Sequence, residues 1–177
     1  MRANYIEASK AIIEISELMV PSNSNFQGKI HGGYILSLMD KVAFACASKF
    51  SGKYCITASV DKVDFRSPVE VGELLMLRAK INYTGNSSMV VGIRVDSQNI
   101  QTGEVKHCNS SYFTMVAREE NKAAKIPGLI LETKQDLRRY LESMERIRIR
   151  KEKKKLQINS EELIATLADQ NVKLDIK

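Results

Sequence analysis

A single carboxylate, Asp40, stands in an almost wholly apolar segment that runs from 30 to 50 and opens on a histidine and two glycines. The spacing of its apolar residues predicts a helix, and a helix that is apolar on all sides is normally buried. Burying a carboxylate is costly unless it is paired, hydrogen-bonded or used in chemistry. The sequence therefore singles out Asp40 as a candidate catalytic group.

The two glycines, Gly32 and Gly33, are suited to the stabilisation of a negatively charged oxygen. At the start of a helix, backbone N–H groups point outward at the positive end of the helix dipole. Such groups stabilise an oxyanion, and glycine lets a substrate approach closely. Asp40 lies two turns further along, where it can act as a general base on water or attack a carbonyl directly. These residue types at this spacing predict hydrolysis at a carbonyl carbon.

The elements that must position these groups follow from the apolar periodicity. After the helix, four segments have strand character and are separated by short turns, which favours an antiparallel meander. A further segment, 12–20, is compatible with either a strand or a helix. One sheet that curls around one apolar helix would bury that helix, so we expect an α+β fold of this kind. The four predicted strands are 54–65, 73–84, 89–95 and 105–117.

The composition changes after about residue 120. We expect one domain at 1–120, a linker at 121–132 and a charged helical extension at 133–177, whose last short helix begins at Ser160. The segment from 134 to 155 holds ten basic and four acidic residues, which accounts for the whole net charge of +6. Acidic residues are interspersed and aromatic residues are scarce there, so we expect a solvated helical face and no nucleic-acid partner.

The length of the apolar runs and the spacing of the cysteines indicate where the protein works and whether it binds a metal. The sequence shows no apolar run long enough to cross a bilayer and no apolar core of a signal peptide, so we expect a cytoplasmic protein without a membrane partner. The three cysteines have no metal-type spacing, and we expect reduced thiols and no metal site. They are Cys46, Cys55 and Cys108.

An ordered series of motifs begins with the segment 25–33, Asn-Phe-Gln-Gly-Lys-Ile-His-Gly-Gly, which Ser-Leu-Met-Asp follows at 37–40. The later motifs are 57–65, 68–69, 71–73, 87–89, 97–103 and 113–117. Each motif is weak alone, but the ordered set is specific. The set resembles the hotdog-fold acyl-CoA thioesterases, and within them the brain-type acyl-CoA hydrolases.

The resemblance implies an acyl-CoA hydrolase that releases coenzyme A and a carboxylic acid and needs no separate cofactor. It implies that Asn25, which orients the water or the carbonyl, comes from a different subunit than Asp40. A homodimer would then hold two complete sites, either alone or within a trimer of dimers. It also assigns substrate-binding positions to four residues, His31, Thr57, Ser87 and Ser88.

Other readings of the same residues stay open at this stage. Asp40 can be a structural residue, Asn25 a turn or cap residue, and Ser87 and Ser88 simple turn residues. A hotdog acyl-CoA sensor would bind the ligand without needing Asp40, and usually carries a DNA-binding segment that is not evident here. A hotdog dehydratase would pair a histidine with a carboxylate, but His31 lies too close to the glycines for that pattern. The sequence leaves the acyl chain length and any regulatory ligand undetermined.

Overall fold

In the computed structural model, residues 4–155 are described, with side chains to residue 152. Backbone contacts divide the chain into two units, Met1–Ser143 and Met144–Lys177. In the first unit one long helix packs on one face of a sheet, in agreement with the expected fold. The elements are β1 Tyr5–Glu7, β2 Ile12–Leu18, α1 Gly32–Ser51, β3 Tyr54–Val60, β4 Glu73–Thr84, β5 Ser88–Asn99, β6 Val105–Glu119, β7 Lys122–Ala123, β8 Gly128–Ile130 and α2 Lys134–Lys155.

The main sheet is antiparallel and follows the spatial order β2-β4-β5-β6-β3. The hairpin between β4 and β5 turns at residues 85–87, as the sequence predicts. The segment 12–20, which the sequence left open, contributes strand β2. Within the described part of the chain β3 pairs only with β6, so its other edge is open.

Helix α1 is held on the sheet by its apolar side chains, and it ends at Gly52, which has the left-handed backbone (φ +66°) that closes helices easily. The expectation of a helix buried on all sides is wrong for the single chain. A stripe at helical spacing is exposed, and Asp40 lies on it. Apolar composition predicted burial, but it did not distinguish burial within the chain from burial against another chain. The exposed stripe consists of Gly33, Ser37, Asp40 and Phe44.

The segment after the main sheet is more ordered than a linker. The expected linker 121–132 contains β7, which pairs with β6, and β8, which pairs in parallel with β1. Helix α2 begins at residue 134, within one residue of the expectation. Its buried residues are Asp136 and Ser143, while Leu137 and Leu141 of its apolar stripe are exposed. The helix expected from Ser160 lies outside the described residues.

No helix among residues 4–155 is both long enough and apolar enough to span a membrane.

Candidate functional site

The start of α1 is closed by the side chain of His31. His31 is the residue that precedes the first helical turn, and its Nδ1 accepts a hydrogen bond of 2.9 Å from the backbone N–H of Gly33. A side chain in this position satisfies one of the free N–H groups of the first turn. The N–H of Gly33 is therefore already used in the chain as described, which differs from the expectation that both glycines hold an oxyanion. Gly32 is the better-placed member of the pair.

Gly32 packs closely against an aromatic ring at the same helix end. A Cβ atom at this position would lie 3.3 Å from the ring of Phe65, a tight contact that the ring would have to relieve by a shift of a few tenths of an ångström. Phe65 belongs to the segment after β3 and is itself half exposed. The glycine thus brings the positive end of the helix dipole close to an aromatic wall, an arrangement suited to an apolar substrate with a polar reacting group.

Asp40 lies on the exposed stripe of α1, with its carboxylate fixed from the neighbouring strand. Thr57 of β3 donates its hydroxyl proton to Asp40 Oδ1 at 2.6 Å, and its Oγ1 also lies 3.5 Å from the sulfur of Met115. The contact with Met115 follows from the strand register, in which the two residues pair, while the contact with Asp40 joins β3 to α1. A carboxylate that is oriented and reachable from outside the chain can accept a proton or attack an electrophile.

Sequence reasoning placed Thr57 among the substrate-binding residues, which stays a prediction, and the structure adds a contact with Asp40 that it did not foresee. The two residues are 17 positions apart and lie on different elements, so no local pattern reports their contact. The β propensity of the segment and the alternation of its side chains could place Thr57 on a strand face, but they could not predict its contact with Asp40.

Asn25 lies in the loop that leads into α1, and its side chain organises that loop. Its Oδ1 accepts hydrogen bonds from the backbone N–H groups of Gln27 at 2.9 Å and Lys29 at 3.2 Å. This is the turn role that the sequence left open for Asn25. The bonds occupy only the carbonyl end of the amide, so its NH₂ end is the part that can serve a substrate. Beside it, Phe26 extends fully into solvent.

Ser87 and Ser88 lie at the hairpin between β4 and β5. Gly85 N–H donates to the carbonyl of Ser88, and the carbonyl of Ser87 accepts from the N–H of Ala117. Ser88 pairs with Val116, which pairs in turn with a residue of β3 next to Thr57. The serines are therefore level with Thr57, two strands away, or roughly 10 Å across the sheet. The structure brings Asp40 and Thr57 together and leaves the two serines at the hairpin, two strands away from Thr57.

The three cysteines are not suited to nucleophilic chemistry. All are free and buried, and burial raises the pKa of Cys46 to about 12. Burial is also the main cause that raises the pKa of the Cys108 thiol. A thiol acts as a nucleophile only as the thiolate. The carboxylate of Asp40 is therefore the stronger candidate among the groups considered. No cluster of three or more potential metal ligands occurs among residues 4–155.

An apolar surface surrounds the candidate site. Half-exposed aromatic and aliphatic side chains line the outer stripe of α1 and the neighbouring strand β3, and the rings of Phe44 and Tyr54 meet edge to face at 5.6 Å. Contiguous exposed apolar surface usually marks an interaction site. Sequence reasoning missed this surface because it expected α1, which carries Phe44, to be buried on all sides. The members are Phe44, Tyr54, Val60 and Phe65.

Comparison with known proteins identifies relatives of this arrangement. The family model of the thioesterase superfamily matches residues 27–104. The protein VdlD of Helicobacter pylori is 43% identical over 81% of this chain and 82% of its own length. A hexameric acyl-CoA thioesterase solved without ligand superposes with a TM-score of 0.83 at 33% identity, over 87% of this chain and 99% of that one.

An acyl-CoA hydrolase from Staphylococcus aureus, solved with butyryl coenzyme A and coenzyme A, has a TM-score of 0.78 at 27% identity, over 93% of this chain and 99% of its own. Its solved alanine variants replace an asparagine, an aspartate 15 residues later and a threonine 17 residues after that. Asn25, Asp40 and Thr57 have the same two spacings.

Proposed function

The chain belongs to the thioesterase superfamily, and we propose that this acyl-CoA thioesterase hydrolyses fatty acyl-CoA to free coenzyme A and a carboxylate. One observation carries the proposal: Asp40 is oriented by Thr57 on an exposed helix face, two turns from a glycine at the positive end of that helix. A non-catalytic acyl-CoA sensor has no use for a carboxylate held in this way. The similarity to the brain-type branch in particular stays a prediction.

The proposed chemistry uses three groups of this chain. The N–H of Gly32 and the helix dipole stabilise the negative charge that develops on the thioester oxygen. Asp40 either takes the proton of the attacking water or attacks the carbonyl itself, and the thiolate of coenzyme A leaves. Thr57 is a positioning residue, because its hydroxyl fixes one carboxylate oxygen while the other stays available.

We propose a homodimer as the smallest active unit. The open edge strand β3 lies beside the exposed stripe of α1, because Thr57 contacts Asp40 and Tyr54 contacts Phe44. A second copy that packs here would cover both the edge and the apolar side chains. The loop of Asn25 and Phe26 is then available to reach the partner's Asp40. A trimer of such dimers is the assembly that the similar hexameric thioesterase suggests.

We further propose that the enzyme works in the cytoplasm. The support is chemical: all three cysteines are free, as expected for a reducing compartment.

A panel of acyl-CoA substrates from acetyl to palmitoyl tests the proposed function. We expect release of free coenzyme A, followed with a thiol reagent, with kcat/KM rising along the panel because the surface next to Asp40 is apolar. The matched comparison is the same panel with Asp40→Asn. A wild-type enzyme that released no coenzyme A from any member would refute the proposal, and a maximum at acetyl would refute only the fatty substrate.

Thr57→Val should lower kcat with little change in KM. The substitution keeps the shape of the side chain but removes the hydroxyl that donates to Asp40, so the carboxylate loses its orientation. We expect a fall of about 10- to 100-fold, the usual range for a lost positioning partner. Thr57→Ser keeps the donor and should stay close to wild type. If the valine and serine variants had equal kcat, the contact would not matter for catalysis.

A further inference from the structure

The chain has only two histidines, and the second, His107, belongs to a cluster that the thioesterase site does not use. His107 Nδ1 lies 3.1 Å from Asp96 Oδ1, and His107 Nε2 lies 3.4 Å from the hydroxyl of Ser110. A serine, a histidine and a carboxylate in this order can form a nucleophile, its base and the group that orients the base.

The strand register places these three residues on the face of the sheet opposite α1. Asp96 on β5 pairs with His107 on β6, and Arg94 pairs with Ser110. The register shifts between these two pairs, so that β6 has an extra residue there. This bulge brings His107 and Ser110, three positions apart, to the same side, which regular alternation does not do.

Asp96 is suited to orient the histidine. It is almost completely buried, and burial alone would raise its pKa, but hydrogen bonds from Arg94 and His107 outweigh that effect and the pKa is lowered. Asp96 is therefore ionised near neutral pH, and its negative charge favours a proton on His107 Nδ1. His107 Nε2 is then left to accept the proton of Ser110.

Ser110 also lines a groove of about 340 Å³ on this outer face. Gly92, two residues before Arg94 on β5, also lines the groove, and its lack of a side chain makes room for the amide of Asn82, another lining residue. Four cationic side chains and one carboxylate, Glu14, line the groove. Three of the cations are paired with acids, and Arg139 has no ion pair among those found in residues 4–155. The four are Arg78, Lys80, Arg94 and Arg139.

We propose that Ser110, His107 and Asp96 form a second hydrolytic site, for small carboxylic esters that carry an anionic group. Ser110 Oγ attacks the ester carbonyl carbon while its proton passes to His107 Nε2. The proton then goes to the departing alcohol as the C–O bond breaks, which leaves an acyl-serine. Water, deprotonated by His107, hydrolyses the acyl-serine and restores the hydroxyl. Arg139, the groove cation without an ion pair in the described part of the chain, binds the anionic group, and the positive charge of the groove stabilises the oxyanion.

The test uses the full-length Asp40→Ala variant, in which the thioesterase site is disabled. Its substrate is 4-acetoxy-3-nitrobenzoate, whose hydrolysis releases a coloured phenol, and 2-nitrophenyl acetate is the neutral counterpart. We expect Ser110→Ala and His107→Gln, each added to Asp40→Ala, to lower the enzymatic rate on the anionic ester by about 100-fold or more. We expect the neutral ester to be the poorer substrate by kcat/KM.

Ser16→Ala is the matched control, because Ser16 is an exposed serine on the same outer face, on β2. It should leave the rate on the anionic ester unchanged. A fluorophosphonate probe should label Ser110, identified by peptide mass spectrometry, and His107→Gln should abolish the label. Equal rates with and without Ser110, or a label on another residue, would overturn the proposal.

The two sites are separable by their substrates. Ser110→Ala in the otherwise unchanged chain should keep its wild-type rate on acyl-CoA, because Ser110 lies on the opposite face of the sheet from α1. The ester assay and the acyl-CoA assay therefore test the two proposals separately, and either proposal can fail while the other stands.

Discussion

Replacing Asp40 with alanine should lower kcat for acyl-CoA hydrolysis by about 100- to 10,000-fold, the range expected for the loss of a general acid–base group. A lost nucleophile would cost at least as much. The fold should survive, because the side chain is exposed and its hydrogen bond to Thr57 is the one that anchors it in the described chain. The measurement is steady-state release of coenzyme A, with circular dichroism as the check on folding.

Asp40→Asn separates the charge of this residue from its shape. Asparagine keeps a carbonyl oxygen that can accept the hydroxyl of Thr57, but it can neither take a proton efficiently nor act as the nucleophile. We expect it to be as inactive as the alanine variant. Glu142→Ala is the control, since this carboxylate lies on α2 in an ion pair with Arg138. Wild-type turnover in either Asp40 variant would contradict the assignment of Asp40 as a catalytic residue.

The main elements of the fold could be predicted because each has a clear periodicity. The strand predicted over 73–84 has the observed bounds of β4, since its side chains alternate between the two faces as far as Ile81, where the register shifts. The final strand continues two residues beyond its predicted end, where polar residues still pair in the sheet. The two-residue strand β7 was missed because so short a pairing depends on its neighbour rather than on its own sequence.

The site was only partly predictable from sequence, because some of its contacts join distant positions and others depend on the rotamer of a side chain. Asp40 could be found because a carboxylate in an apolar helix is unusual. The bond from Gly33 N–H to His31 depends on a side-chain rotamer, which no sequence pattern specifies. The exposed position of Phe44 was also hidden, because an apolar residue that faces a partner has the same composition signal as one in the core.

This ambiguity between core and interface makes the dimer the next element of the site to test. Suppose that each site combines Asn25 of one chain with Asp40 of the other. A homodimer of either single variant then has a defect in both of its sites. We expect Asn25→Ala alone to lower kcat by about 10- to 1,000-fold, as for the loss of one polar stabiliser. A heterodimer of one Asn25→Ala chain and one Asp40→Ala chain would combine both defects in one site and leave the other site intact.

Such heterodimers, co-expressed with two different tags and purified on both, should therefore regain about half of the wild-type kcat per dimer, as two-fold symmetry requires. If both residues served the same site from one chain, every site in the heterodimer would still lack one of them. The activity would then stay near the mean of the two inactive parents, a difference of tenfold or more from the expected result. A heterodimer of two Asp40→Ala chains with different tags is the matched control, because it has no intact site in either arrangement. Recovery of activity in the co-expressed heterodimer would show that Asp40, exposed in the single chain, completes its site with a residue of a second copy.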